Sequence, residues 1–184
     1  MDAMFRVVGV VSVLVTWLAI SYILLRQPRN PAQSISHHAA RGDKDYLIFA
    51  GLMTVGVLAL FLYMVKWLAP TFNLPTAFTV ITCVAVGLEL IATWVPLTEG
   101  RKYTIHQACS YGAAFLLPIL LVQLLFAEGL PVLAWYSALA AVLVMIAFMA
   151  LFKLYKPSRM RYLWYQSIYV FMFHLAVLAP AAMR

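Results

Sequence analysis

The sequence predicts an all-α membrane protein, a compact bundle of six transmembrane helices that forms a single domain. Hydrophobic residues make up 65% of the 184 residues and charged residues only 10%. The mean hydropathy of +0.93 is too high for a soluble domain. The apolar residues fall into six runs, each near the roughly 20 residues that a helix needs to cross the hydrocarbon core. Runs such as 116–126 do not alternate apolar and polar residues as the strands of a membrane β-barrel would.

The expected spans follow one another with short connections. Their bounds are 4–25, 46–69, 77–97, 105–127, 130–152 and 162–182. The first span ends in Leu-Leu-Arg rather than in a small-residue cleavage site, so we interpret it as a membrane helix and not as a signal peptide. Residues 26–45 then form the longest polar segment. Ser34 or Ser36 is expected to cap a short interfacial helix there, which carries two adjacent histidines.

Side chains near the span ends fit a membrane interface. Lys66 and Trp67 are expected to anchor the end of the second span in the headgroup region. Pro96 stops the third span. Cys83 and Cys109 are expected to be buried thiols that form no disulfide. The sixth span opens with an expected aromatic belt of Tyr162, Trp164, Tyr165 and Tyr169.

The 13 Lys and Arg residues are distributed unevenly between the two faces of this bundle. Three lie on the face of the termini, and the other ten lie in or beside the first, third and fifth connections. These ten are Arg26, Arg29, Arg41, Lys44, Arg101, Lys102, Lys153, Lys156, Arg159 and Arg161. Because basic loops stay in the cytoplasm, we predict an inner (plasma) membrane protein with both termini outside the cytoplasm.

The formal charge of +7 follows from this topology. It predicts attraction to anionic lipid headgroups at the cytoplasmic face, and the candidate ligand or headgroup contacts are His37, His38, Arg101, Lys102, Arg159 and Arg161. Nucleic-acid binding is not expected, because these basic residues lie in short loops against a membrane rather than on an exposed recognition element.

Glu89 and His174 are ionisable side chains inside spans, where such groups are costly and usually paired, protonated or functional. From the helical rise, Glu89 is expected about 12 Å from the inner end of its span and His174 about 18 Å. If the third and sixth helices touch, the two side chains are expected to form a hydrogen bond. The alternatives for Glu89 are a protonated structural contact and a proton-relay or ligand role.

Three histidines, His37, His38 and His106, share the predicted cytoplasmic face with several carboxylates. The carboxylates are Asp43, Asp45 and Glu99. Imidazole and carboxylate together could act as acid and base groups or bind a metal at the headgroup level. No His-Glu-x-x-His or Cys-x-x-Cys spacing occurs, so no metal site is expected and solvated loop residues are the simpler interpretation.

The same histidines limit what a site could contain. Adjacent His37 and His38 point in different directions on a helix, so at most one of them is expected to join a site. No cofactor is expected either, because a membrane haem needs two histidines that face each other at one depth.

Four short features stand out beyond composition. They are Ser34 to Ser36 before the second span, Gly51, Gly87 through Pro96, and Ile105-His106 to Ala113. Together, over residues 34–115, they resemble the Frag/DRAM/Sfk superfamily, and most closely its bacterial domains of unknown function. The resemblance implies a six-helix bundle and a role near membrane lipids, because eukaryotic relatives are linked to lipid-anchor remodelling and lipid organisation. Relatives often have an acid where this chain has His37 and His38, so an acid-dependent role of that loop is not carried over.

Three functions fit these residues. We expect a non-enzymatic membrane protein that binds lipid, a partner membrane protein or a second copy of itself. The alternatives are a membrane-embedded enzyme acting on lipid headgroups, with His106, Glu89 and His37 as acid or base groups, and a small proton-coupled carrier using Glu89 and His174. The absence of a span broken at its middle by a Gly-Pro pair counts against a carrier.

Overall fold

A computed structural model describes residues 2–28, 30–154 and 161–183. Within these ranges the chain forms helices and no strands. The helices are α1 (Asp2–Arg26), α2 (Ile35–Ala39), α3 (Asp43–Thr71), α4 (Thr76–Trp94), α5 (Arg101–Leu125), α6 (Val132–Leu154) and α7 (Tyr162–Ala182). All except α2 are long and apolar enough to cross a membrane. The predicted all-α fold with six membrane-spanning helices is confirmed.

The helix bounds differ from the predicted spans most clearly around Pro96. Helix α4 ends at Trp94, three residues before the predicted end, because Val95 has an extended backbone with φ −100° and ψ 103°. Proline disfavours the helical conformation in the residue before it. Helix α5 begins at Arg101, four residues earlier than predicted, directly after Gly100 with φ 74°. Glycine adopts this left-handed conformation without the steric penalty of a Cβ atom.

The six long helices pack in chain order around the bundle. Each contacts the next, from α1 against α3 to α6 against α7, and α7 also contacts α1 and α5. Because the connections are short, consecutive long helices are antiparallel. We call the end where α3, α5 and α7 begin the basic face. The described basic residues at that end are Arg26, Arg41, Lys44, Arg101, Lys102, Lys153 and Arg161.

Small residues bring α1 and α3 into close contact. Gly9 lies against the ring of Tyr63, so that a Cβ atom at Gly9 would be 2.6 Å from the ring Cδ2 atom. Gly56 lies against Thr16 in the same way. Tyr63 is completely buried, and its hydroxyl donates to the carbonyl oxygen of Val177 at 2.9 Å. This hydrogen bond ties α3 to α7.

Two expectations about individual side chains are wrong. Trp67 does not anchor the bundle in the interface, because it is only 3% exposed and stacks on Tyr63 with 5.2 Å between ring centroids. It lies in a π-helical turn, Met64–Leu68, whose extra residue changes which side chains face the bundle. Cys83 is exposed rather than buried and Cys109 is half-buried, although both are free thiols as expected.

Candidate functional site

A cavity of about 750 Å³ opens at the basic face, between α3, α4, α5, α6 and α7 and beside α2. Glu89 of α4 and His106 of α5 both line it. Each lies five residues from the end of its helix at the basic face, at Trp94 and Arg101 respectively. Both are therefore about 7.5 Å along the helix axis from that face. The structure brings an acid and an imidazole from two helices into one cavity.

Aromatic residues form a substantial part of the cavity walls. Nine lining residues are Tyr or Phe: Tyr46, Phe49, Tyr111, Phe115, Phe148, Phe152, Tyr162, Tyr165 and Tyr169. Two ring pairs pack closely, Phe148 with Tyr165 at 5.0 Å and Phe152 with Tyr162 at 4.5 Å between centroids. The hydroxyl of Tyr46 donates to the carbonyl oxygen of Thr93 at 2.8 Å, and that of Tyr169 donates to the carbonyl oxygen of Ala114. These bonds hold two of the rings in position.

Few polar side chains interrupt these walls. Besides Glu89 and His106, they are Ser36, Thr93, Ser110, Lys153 and Gln166. Gln166 accepts a hydrogen bond from the backbone N–H of Ile35 at 2.9 Å, which joins α2 to α7 beside the cavity. In the described part of the chain, no three His, Cys, Asp or Glu side chains are grouped so that they could hold a metal ion.

The ring of His106 is 5% exposed and has a defined orientation. Its Nδ1 lies 2.7 Å from the carbonyl oxygen of Val95. Because a carbonyl oxygen can only accept, Nδ1 carries the hydrogen, and Nε2 of the neutral ring is left as an acceptor. An imidazole held in this way can accept a proton or a hydrogen bond from a group in the cavity.

Helix α2 confirms the short helix expected here, and it separates the two histidines. The Oγ atom of Ser34 caps the helix by accepting from the backbone N–H of His37 at 3.2 Å. His38 is completely buried, with Nδ1 2.7 Å from the carbonyl oxygen of Ser34 and Nε2 accepting from the backbone N–H of Asn30 at 3.0 Å. His38 therefore stabilises the loop with both ring nitrogens, which leaves His37 as the one histidine of this pair that could join a site.

His37 is half-buried and follows Ser36, which lines the cavity. Burial lowers the pKa of its imidazole, and the nearby His106, His38 and Arg41 lower the pKa further. A neutral His37 is therefore favoured in the folded protein.

His174 lies elsewhere in the bundle. It lines a second cavity of about 640 Å³ together with Trp17 and Ser137, and its ring centroid is 6.4 Å from that of Trp17. Its Nδ1 atom is buried and has no hydrogen-bond partner within the described ranges. The structure does not bring Glu89 and His174 together, because the main neighbours of α4 are α3 and α5 whereas that of α7 is α6.

The candidate headgroup contacts are only partly described. Arg101, Lys102 and Arg161 are exposed at the basic face. Arg159 lies outside the described residues. Lys153, which was not among the predicted contacts, lines the cavity near the end of α6.

Most of the aromatic wall is not predicted from the sequence. The expected interfacial belt of Tyr162, Tyr165 and Tyr169 is wrong for these three residues, because all three line the cavity and Tyr169 is only 8% exposed. Their spacing of three and four residues places them on one face of a helix, which is the signal that could have identified them. Trp164, the fourth member of the belt, is exposed as expected.

Comparisons with known proteins leave this cavity as the main guide to function. No family model, curated protein or solved structure matches the chain.

Proposed function

We propose that this chain is a multi-pass inner-membrane protein that binds a membrane lipid, or an amphiphile like one, in the cavity at the basic face. The observation that carries the proposal is the position of Glu89 and His106 in one aromatic-walled cavity of about 750 Å³. Small-molecule sites are typically concave and mostly apolar, with a few polar groups that orient the ligand. The cavity has this character.

The shape of the cavity suits an amphiphile. Its α5 lining runs from His106 to Leu117, a separation of eleven residues and so about 16 Å along the helix axis. Glu89 and His106 lie toward the basic face, whereas Phe115 and Leu117 lie deeper. A headgroup at the polar end and an apolar tail at the deep end would match this gradient.

The basic residues support the proposed orientation. Of the described Lys and Arg residues, seven lie at the basic face and two, Arg6 and Lys66, lie toward the other end. By the positive-inside rule, the basic face belongs in the cytoplasm and both termini outside it. The cavity would then take lipid from the cytoplasmic leaflet.

Acid–base chemistry on the bound headgroup is a second candidate function. The specific observation in its favour is the orientation of His106, whose Nδ1–H donates to Val95 so that Nε2 is a potential base. A general base needs this fixed geometry before its pKa matters. A proton-coupled carrier is less well supported, because Glu89 and His174 line different cavities.

Native mass spectrometry of the protein extracted in a gentle detergent tests the proposal. We expect the wild-type protein to retain a lipid-sized mass. Ser110→Phe places a ring in the cavity and should displace that mass, whereas Ser137→Phe makes the same change in the second cavity and should not. Lipid retained equally by both variants would contradict binding in the proposed cavity. A protein complex without lipid would instead indicate an accessory subunit.

A further inference from the structure

We infer that the polar end of this cavity recognises an ammonium group, primary or quaternary, so that the bound amphiphile carries a positively charged nitrogen in its headgroup. The inference rests on the proposed function and narrows its ligand class. It departs from the anionic headgroups that the overall positive charge of the chain suggests, because the cavity has a charge pattern of its own.

The first observation is the charge inside the cavity. Among the described lining residues, Glu89 is the only carboxylate and Lys153 is the only Lys or Arg. Glu89 lies about 7.5 Å inside the basic face, whereas Lys153 is exposed one residue before the end of α6. The acid therefore lies within the cavity and the base at its rim.

The second observation is that Glu89 has no cationic partner among the described residues. The ion pair that occurs among these residues joins Arg26 Nε to Asp45 Oδ1 at 3.8 Å, on the α1–α3 side of the basic face, and does not involve Glu89. A carboxylate within a membrane span is normally paired or protonated. A cationic ligand would supply the missing partner, because an opposite charge favours the ionised carboxylate.

The third observation is the aromatic wall. Ammonium groups are attracted to the faces of Tyr, Phe and Trp rings within about 6 Å of the ring centroid, and aromatic cages bind quaternary ammonium ligands in this way. Tyr162, Tyr165 and Tyr169 line the cavity from one face of α7, and Tyr111 lines it from α5. The combination of one acid with several rings suits an organic cation better than it suits a phosphate alone.

The positions of the two charges favour a zwitterionic phospholipid. A headgroup lying across the polar end of the cavity would place its ammonium group at Glu89 of α4 and its phosphate near Lys153 of α6 and the exposed basic residues, which can neutralise it. An anionic lipid without an ammonium group would place its headgroup beside an unpaired carboxylate. A water-soluble amine shares the ammonium chemistry but would leave the deep apolar end of the cavity empty.

The test is a titration of the full-length chain in non-ionic detergent with phosphatidylethanolamine and phosphatidylglycerol of identical acyl chains, followed by native mass spectrometry. We expect wild-type protein to bind the ethanolamine lipid about tenfold more tightly, the preference that a desolvated cation–π and ion-pair contact can supply. Glu89→Gln should abolish the preference by weakening the binding of the ethanolamine lipid. Glu99→Gln, an exposed acid at the same face and outside the lining, should preserve it.

A second pair of variants keeps the test decisive if Glu89→Gln does not fold. Tyr165→Leu removes a ring of the wall and should reduce the preference, whereas Tyr165→Phe retains the ring and should preserve it.

A third ligand, tetramethylammonium, distinguishes the source of the cation. If it raises the melting temperature of wild type but not of Glu89→Gln while the ethanolamine lipid does not bind, the ammonium inference holds and the ligand is water-soluble.

The outcomes separate this inference from the proposed function. Equal binding of the two lipids, tighter binding of phosphatidylglycerol, or an unchanged preference in Glu89→Gln would overturn ammonium recognition and leave the lipid cavity standing. Failure of both lipids and of tetramethylammonium to bind would overturn the lipid cavity and the ammonium inference together.

Discussion

His106 donates a hydrogen bond from Nδ1 to the carbonyl oxygen of Val95, 2.7 Å away. Val95 directly follows the last residue of α4, and His106 lies near the start of α5. One side chain therefore fastens the connection between two helices and presents its other ring nitrogen as an acceptor. A mutation of His106 that removes both roles at once cannot distinguish a chemical function from a structural one.

Two substitutions of His106 separate these roles. His106→Ala leaves the Val95 carbonyl without its partner and should lower the free energy of unfolding by about 1–3 kcal/mol. His106→Asn places an amide N–H near the position of Nδ1 and should retain most of that stability while removing Nε2. Thermal unfolding in detergent measures the first effect. Headgroup turnover that persists in the stable His106→Asn protein would contradict an acid–base role for Nε2.

The close contact between α1 and α3 predicts that substitution by alanine changes stability differently at two glycines of α3. A Cβ atom at Gly56 would overlap Thr16 and lie 3.2 Å from the carbonyl oxygen of Ser12, whereas one at Gly51 meets nothing within 4 Å. Gly56→Ala should therefore destabilise the protein by about 1–3 kcal/mol through overpacking. Gly51→Ala should be neutral or slightly stabilising, because alanine favours the helix by up to about 1 kcal/mol.

Unfolding of purified single-alanine variants in mixed micelles provides this comparison. Equal stability of the two variants would show that α1 and α3 do not approach as closely as the structure indicates.

His37 predicts a pH dependence of stability. Its pKa is lowered in the folded protein below the ordinary value of 6.5, so the unfolded chain takes up the proton more readily than the folded one. The stabilising contribution of the neutral ring is fully present above pH 6.5 and is lost as the pH falls through the lowered pKa. Melting temperatures of wild type and His37→Gln, measured from about pH 7.5 down to about pH 5, should converge in acid. If the melting temperatures of wild type and His37→Gln fall equally in acid, the loss of stability comes from other titratable groups.

Asp45 links the end of α1 to the start of α3. Its Oδ1 accepts from the hydroxyl of Tyr22 and its Oδ2 from Nε2 of Gln27, both at 2.8 Å. Asp45→Asn loses the acceptor for Gln27 and the charge beside Arg26, and should lower the free energy of unfolding. Asp43→Asn, an exposed change in the same first turn of α3, is the matched control. A loss of similar size in Asp43→Asn would indicate a helix-terminus effect rather than the loss of these bonds.

The sequence by itself determined the six membrane-spanning helices and the capped helix α2. Span 162–182 coincides with α7, and Ser34 caps α2 as predicted. These features depend on local properties. The length of an apolar run decides whether a helix can cross the hydrocarbon core, and a serine caps the residues that directly follow it.

Tertiary structure alone decided which distant side chains share a site. Depth along the helices made His174 a plausible partner for Glu89, yet the packing order places Glu89 beside the cavity of His106 and turns His174 toward Trp17. In the same way, the sequence predicts an interfacial belt that includes Tyr162, Tyr165 and Tyr169, whereas in the structure these three side chains line the cavity. Hydrophobicity sets the depth of a residue in a membrane helix, but the rotation of that helix and the identity of its neighbours depend on the packing of all the helices together.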